Sequence, residues 1–370
     1  MTSSVDMLTY MKLRGDLSFG VAAFNDVDAM ILTQLSSIDY QDTMPGARTV
    51  ENLGFSKWKD RPLVSTVAKK YKEKKEKENC TQLQPKEELL FLVGESRRFS
   101  KLRMDGFIRD TDMEKEKQFS AVTFFFSPFC AHVAFRGTDG SFVAWKENFN
   151  MSYQLPVPAQ EDAVKYAEKL LKEPFLKCTI GGHSKGGNLA LYSSVFCEPK
   201  AQKKIRQVFC FDAPGFMQDI SEKPEYITIK ERIRAYVPES TVFGAIMKIP
   251  FDAFVVKSDE TGIRQHGMIT WQVKADGLVL CKERDEFSRG MERAINEWLK
   301  EIPAEDKPGA VNEVFEILRK SGILSMDDLT HMDWKRMVGL LRSATKMTAK
   351  NREHFLAIVK RIWEESRKTK

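Results

Sequence analysis

Thr179-Ile180-Gly181-Gly182-His183-Ser184-Lys185-Gly186-Gly187-Asn188-Leu189-Ala190 is the stretch on which the reading of the whole chain turns. It contains G-x-S-x-G, as Gly182-His183-Ser184-Lys185-Gly186. An apolar run at Phe175–Ile180 precedes it, and a helical run at Asn188–Phe196 follows. This context predicts a strand that turns sharply into a helix with Ser184 at the tip. Small residues two positions to either side allow strand and helix to approach closely, and the strained turn leaves the hydroxyl exposed. The first turn of the new helix then lies beneath Ser184 and favours negative charge there. Five loosely specified letters also occur in ordinary glycine-rich surface turns; the flanking strand and helix set this example apart.

Outward from the elbow, the chain alternates strands and helices. Phe119–Phe126 and His132–Phe135 are β-rich runs joined by Ser-Pro-Phe-Cys, a hairpin. A helix follows at Gln160–Leu171, and further strands are predicted at Gln207–Phe211, Ile233–Val237 and Ala253–Lys257. That rhythm implies a mostly parallel sheet flanked by helices. Toward the amino terminus, Asn25–Leu35 reads as a capped helix, and 64–78 as a basic helix laced with i,i+4 pairs. After Cys281 the pattern is wholly helical, over Glu286–Leu299, Ala310–Lys320, Asp333–Thr345 and Asn351–Ser366. We therefore expect a main α/β domain over 1–285 and an all-helical carboxy-terminal extension over 286–370, packed on it or forming a small domain.

Composition excludes several classes of function. Of 370 residues, 58 are Lys or Arg and 52 are Asp or Glu, interleaved along the chain, so the net charge of +6 reads as a solvated surface. No motif that reads grooves or stacks on bases is present, so no nucleic-acid partner is expected. The six cysteines are scattered with no C-x-x-C pair, no two histidines are close in sequence, and no Walker or dinucleotide glycine pattern occurs. No cofactor and no metal are implied. Met1–Gly20 is interrupted by Asp6, Lys12, Arg14 and Asp16, and no apolar run is long enough to span a bilayer. A cytoplasmic protein with reduced thiols is expected.

A serine at such a turn needs a base to activate it. Chain order in the α/β-hydrolase fold is serine, acid, histidine, with the histidine after the last sheet strands. Of the five histidines, His132 lies in a strand, His183 adjoins Ser184, and His331 and His354 fall in the helical tail. His266, in a loop after Ala253–Lys257, fits the position and the order. The acid should end a strand between Ser184 and His266 so that it can hold the imidazole tautomer. Asp212, after Val208-Phe209-Cys210-Phe211, is one candidate; Glu239, after Arg234-Ala235-Tyr236-Val237-Pro238, is the other.

The elbow, together with Val133-Ala134-Phe135-Arg136-Gly137-Thr138-Asp139-Gly140, Trp145 and Asn148, resembles the corresponding segments of class 3 (fungal-type) lipases. The set Arg-Gly-Thr, Gly-Gly-His-Ser-Lys-Gly-Gly-Asn-Leu-Ala, Phe-Asp-Ala-Pro-Gly and a later Gln-His looks more closely like an uncharacterised bacterial family of lipase-like hydrolases. This likeness runs over roughly residues 8–280. It implies an α/β-hydrolase fold and hydrolysis of a small-molecule acyl ester or lipid-like substrate. By the same resemblance, Thr138 and Lys185 would supply the backbone N–H groups of an oxyanion hole, Arg136 would be a structural anchor, and Glu239 would be preferred over Asp212. Ser240 could align with the acid equally well, and a non-catalytic member of the fold that binds a ligand or partner is the alternative. Between acid and base lies the apolar run Thr241–Phe251, which reads either as an acyl-pocket wall or lid, or as ordinary core packing.

Overall fold

The strand–turn–helix around Ser184 lies within an eight-stranded sheet. The computed structural model describes residues 5–80, 82–303 and 305–322, with ten further positions between 340 and 360. Strands β1 (Gly46–Ala47), β2 (Arg103–Asp112), β3 (Lys117–Ser127), β4 (Cys130–Phe135), β5 (Lys177–His183), β6 (Ile205–Phe211), β7 (Ile233–Pro238) and β8 (Ala253–Val256) stand side by side in chain order. β4 through β8 are parallel, whereas β2, β3 and β4 form an antiparallel meander. β9 (Val273–Lys274) and β10 (Gly277–Leu278) make a separate ribbon.

The helices are α1 (Met7–Arg14), α2 (Asp26–Leu35), α3 (Val64–Lys77), α4 (Pro85–Glu95), α5 (Phe142–Asn150), α6 (Pro158–Leu171), α7 (Lys185–Phe196), α8 (Pro199–Gln202), α9 (Pro224–Ile229), α10 (Glu286–Glu301) and α11 (Lys307–Lys320). Successive side chains of a strand point to opposite faces, so one strand feeds two cores. Phe209 and Phe211 of β6 pack with α1–α4, while Val208 and Cys210 pack with α6 and α7. Burial on both faces explains why the strands read as nearly continuous apolar runs. α2 begins with a reciprocal cap: the Asn25 side chain accepts from the N–H groups of Val27 and Asp28, and Asp28 accepts from Asn25 N.

The expected hairpin is β3–β4, and each predicted strand from 175 to 257 is present to within a few residues. β2 escaped the sequence reading. Its pattern, Arg-Met-Asp-Gly-Phe-Ile-Arg-Asp-Thr-Asp, loses the two-residue alternation at a register shift between Asp105 and Ile108, where Gly106 has φ +67°. Such a bulge moves every later side chain to the other face. The first two predicted carboxy-terminal helices correspond to α10 and α11, with Pro308 in the first turn of α11. The other two, at 333–345 and 351–366, lie outside the described residues except at isolated positions, as do His331 and His354. A third apolar cluster joins α10 and α11 to Phe149 of α5 and to Val242 and Phe243.

Candidate active site

Parallel strands present their carboxyl ends at one edge of the sheet, and loops leaving β4, β5, β6 and β8 converge there. Ser184 leaves β5 with φ +56° and ψ −128°, a conformation that costs side-chain-bearing residues on the order of 1–3 kcal/mol. Two glycines make the turn possible. A Cβ on Gly182 would lie 2.0 Å from the carbonyl carbon and oxygen of Gly186, and one on Gly186 would lie 2.3 Å from the Phe135 carbonyl oxygen. The backbone is pinned by Ser184 N–H donating to the Phe211 carbonyl at 2.9 Å. Ser184 is 9% exposed, at the mouth of α7.

β6 is the strand next to β5, so its end lies beside the elbow. Asp212 follows it, fully buried and itself at φ +46°. Its Oδ2 accepts from His266 Nδ1 at 2.6 Å. Its Oδ1 accepts from the Gly244 N–H at 3.0 Å and from the Thr241 hydroxyl. A buried carboxylate is retained only when its lone pairs are filled in this way. His266 ends a short 3₁₀ turn, Gly262–His266, tied down through its neighbour: Gln265 Oε1 accepts from Ser240 N, and the Gln265 carbonyl accepts from Trp271 Nε1. The His266 ring lies between His183 and Phe243, each with its ring centroid 4.4 Å away. With Nδ1 engaged by Asp212, Nε2 is the nitrogen left for a reacting group.

Glu239, the acid preferred from the sequence, is not the partner of His266. β7 is one strand further from the elbow than β6. The Glu239 carboxylate instead contacts the Cys281 thiol, whose pKa is pushed up to about 12 by burial and by that carboxylate. Its carbonyl accepts from Asp285 N. Ser240, the other residue in that alignment, bonds through its hydroxyl to Asp285.

His183, which adjoins Ser184 in the sequence, also meets His266. Its Nε2 donates to the His266 carbonyl at 2.7 Å. Burial, and secondarily the nearby His266, lowers its pKa to about 3, so it is neutral at physiological pH. His132, buried in β4 with Nδ1 on the Thr179 hydroxyl, is likewise lowered to about 3 by burial. Both take up a proton more readily when unfolded, so stability is lost as pH falls from 6.5 toward 3. Each should cost about 3 kcal/mol by pH 4. His132→Gln should flatten the acid limb of a urea-midpoint-against-pH curve; an unaltered limb would contradict the assignment.

Thr138 and Lys185 line the same cavity as Ser184 and His266, a space of about 450 Å³. Thr138 follows β4, the other neighbour of β5, and its hydroxyl accepts from Asn148 Nδ2 at 2.6 Å. The Lys185 side chain turns away into the core. Its ammonium meets Glu147 at 2.8 Å, Gln118 Oε1 at 2.9 Å and the Gln118 carbonyl at 2.6 Å. Glu147 also accepts from Gln118 N and Ala159 N. This pair, 1% and 0% exposed, ties the elbow to α5. Removing one member strands a buried charge. Lys185→Met should lower stability by about 3–5 kcal/mol, and Lys185→Met with Glu147→Leu should recover much of it. Chemical denaturation decides: a loss below about 1 kcal/mol for the single variant would mean the pair is not structural.

Arg136 and Lys86 border the polar side of the cavity, and burial lowers both pKa values. Trp145, Phe149, Phe243, Ile246 and Met247 border the apolar side. Among the described residues no group of three or more His, Cys, Asp or Glu could hold a metal ion, and no helix there is long and apolar enough to cross a membrane.

A mostly parallel sheet flanked by helices, with Ser, Asp and His in that order at its carboxyl edge, defines an α/β-hydrolase fold. The chain belongs to the Mbeg1-like family, whose model matches residues 93–316, more than half of its length and the whole of this edge. Among solved structures it is similar to M37 lipase, at 11% identity over 59% of this chain and 68% of that one, with a TM-score of 0.32. No curated protein matches it.

Proposed function

We propose that this chain is a serine hydrolase of carboxylic esters with acyl or lipid-like substrates. Ser184 Oγ attacks the ester carbonyl while His266 Nε2 takes its proton, and Asp212 holds the Nδ1–H tautomer and offsets the imidazolium charge. The backbone N–H groups of Thr138 and Lys185 receive the developing oxyanion, a contribution of several kcal/mol to lowering the barrier. Collapse of the tetrahedral species expels the alcohol, protonated by His266, and leaves an acyl-Ser184. Water, deprotonated by the same imidazole, releases the acid and restores the serine.

The observation that carries this reading is the 2.6 Å contact from His266 Nδ1 to Asp212, beside a serine held at positive φ. One observation favours a second reading, a non-catalytic binding protein: among the described residues, no hydrogen bond joins the Ser184 hydroxyl to the imidazole. Such bonds are often long without substrate and tighten on binding. Hydrolysis of nitrophenyl butyrate by the purified protein separates the two. The hydrolase turns it over and Ser184→Ala does not; equal rates from both would leave the binding reading.

A further inference from the structure

A second, drier cavity of about 200 Å³ lies against the one that holds Ser184. The two share Trp145, Asn148, Phe149, Phe243, Ile246 and Met247 as a common wall. The far side is built by Met291, Ile295 and Trp298 of α10 and by Val314 and Leu318 of α11. These far-side residues are apolar apart from the indole N–H of Trp298, which is buried without a hydrogen-bond partner among the described residues. Protein interiors normally fill such space with side chains. An enclosed hydrocarbon-lined void of about 150 Å³ takes up benzene; this cavity, of about 200 Å³, is larger and partly open to its surroundings.

We propose that this cavity is the acyl compartment of the enzyme, and that the substrate is an ester of a single medium-to-long fatty acyl chain lying between α10 and α11. The proposal rests on the hydrolase reading only for the position of the ester group; the compartment itself is a binding site for hydrocarbon. Its dimensions follow from α10. Met291, Ile295, Trp298 and Leu299 lie at i, i+4, i+7 and i+8, one stripe down the helix. At 1.5 Å per residue the stripe is about 12 Å long. An extended chain gains about 3.3–3.6 Å for every three bonds, so the stripe accommodates about ten carbons. Met247 and Met291 can adapt their shape to a flexible chain. The run Thr241–Phe251 thereby has a place as the partition between the reacting centre and the compartment. Leu318, Leu340, Phe355 and Val359 also line the cavity and lie beyond residue 316, where the family match ends. α10, α11 and these further lining residues would then be what gives this chain its preference for long chains.

Binding that buries methylenes favours each added CH₂ by about fourfold. The ratio of kcat/KM for decanoyl over butyryl nitrophenyl esters should therefore be large, and Ile295→Trp, which fills the stripe, should lower that ratio at least tenfold. A direct test uses dodecanoic acid carrying a diazirine at its terminal carbon, photolysed with the full chain. We expect saturable crosslinks to peptides within 287–299 or 310–320, competed by dodecanoate but not by butyrate, and at least tenfold weaker in Ile295→Trp. If that variant does not fold, Val314→Phe replaces it. Crosslinks that fall elsewhere, do not saturate, or persist in a folded filled variant overturn the proposal. No step of this test needs a reactive serine. Intact crosslinking without ester turnover would therefore remove the hydrolase reading and keep the compartment, and turnover without specific crosslinking would do the reverse.

Discussion

Ser184→Ala is expected to lower kcat for ester hydrolysis on the order of 10⁶-fold, by analogy with loss of the nucleophile in subtilisin. The substitution isolates the hydroxyl. Alanine keeps the Cβ, so the positive-φ conformation of residue 184 is as strained in the variant as in the parent, and the close contacts of Gly182 and Gly186 are unchanged. Little stability should be lost, because among the described residues the Ser184 hydroxyl makes no hydrogen bond that folding depends on. A variant that unfolds early, or that retains more than about a hundredth of parental kcat, well above the residue left in subtilisin, would remove Ser184 from the reaction.

Asp212→Asn should lower kcat by about 10⁴, as the equivalent change does in a serine protease whose geometry it leaves intact. An amide at 212 would donate toward His266 and favour the tautomer with the proton on Nε2, where it cannot accept from serine. The substitution also leaves the Thr241 hydroxyl and the Gly244 N–H with a carboxamide in place of a charged acceptor, so some stability is lost as well. Glu239→Gln is the control. Its carboxylate faces Cys281 rather than His266, and kcat should change by less than about threefold, within what a surface substitution does. If Glu239→Gln is the damaging change and Asp212→Asn the mild one, the assignment of the acid is reversed.

Much of this was legible in the sequence, and the parts that were not share a cause. The elbow declared itself because its glycines are dictated by contacts within a few residues of Ser184. His266 followed from chain order and from the placement of the other four histidines. Which carboxylate meets His266 did not follow, because Asp212 and Glu239 both end parallel strands. Only the lateral order of strands, which sets β6 against β5, distinguishes them. Likewise nothing near Lys185 in sequence announces Glu147 or Gln118 as its partners; they arrive from α5 and β3 through tertiary packing. His183 was visible in the motif, but its bond to the His266 carbonyl spans 83 positions. The apolar run 241–251 reads equally as wall or as core in the sequence, because α10 and α11, which pack against Val242 and Phe243, lie more than 40 residues further along the chain.

Ser184 is proposed to be an activated nucleophile. Incubation with a fluorophosphonate, followed by peptide mapping, tests it most directly. One covalent adduct is expected, on the peptide containing Gly182–Gly187, formed rapidly at neutral pH, absent in Ser184→Ala and slowed severely in Asp212→Asn. A folded protein that stays unmodified, or that is modified at another residue while Ser184 remains free, would contradict it.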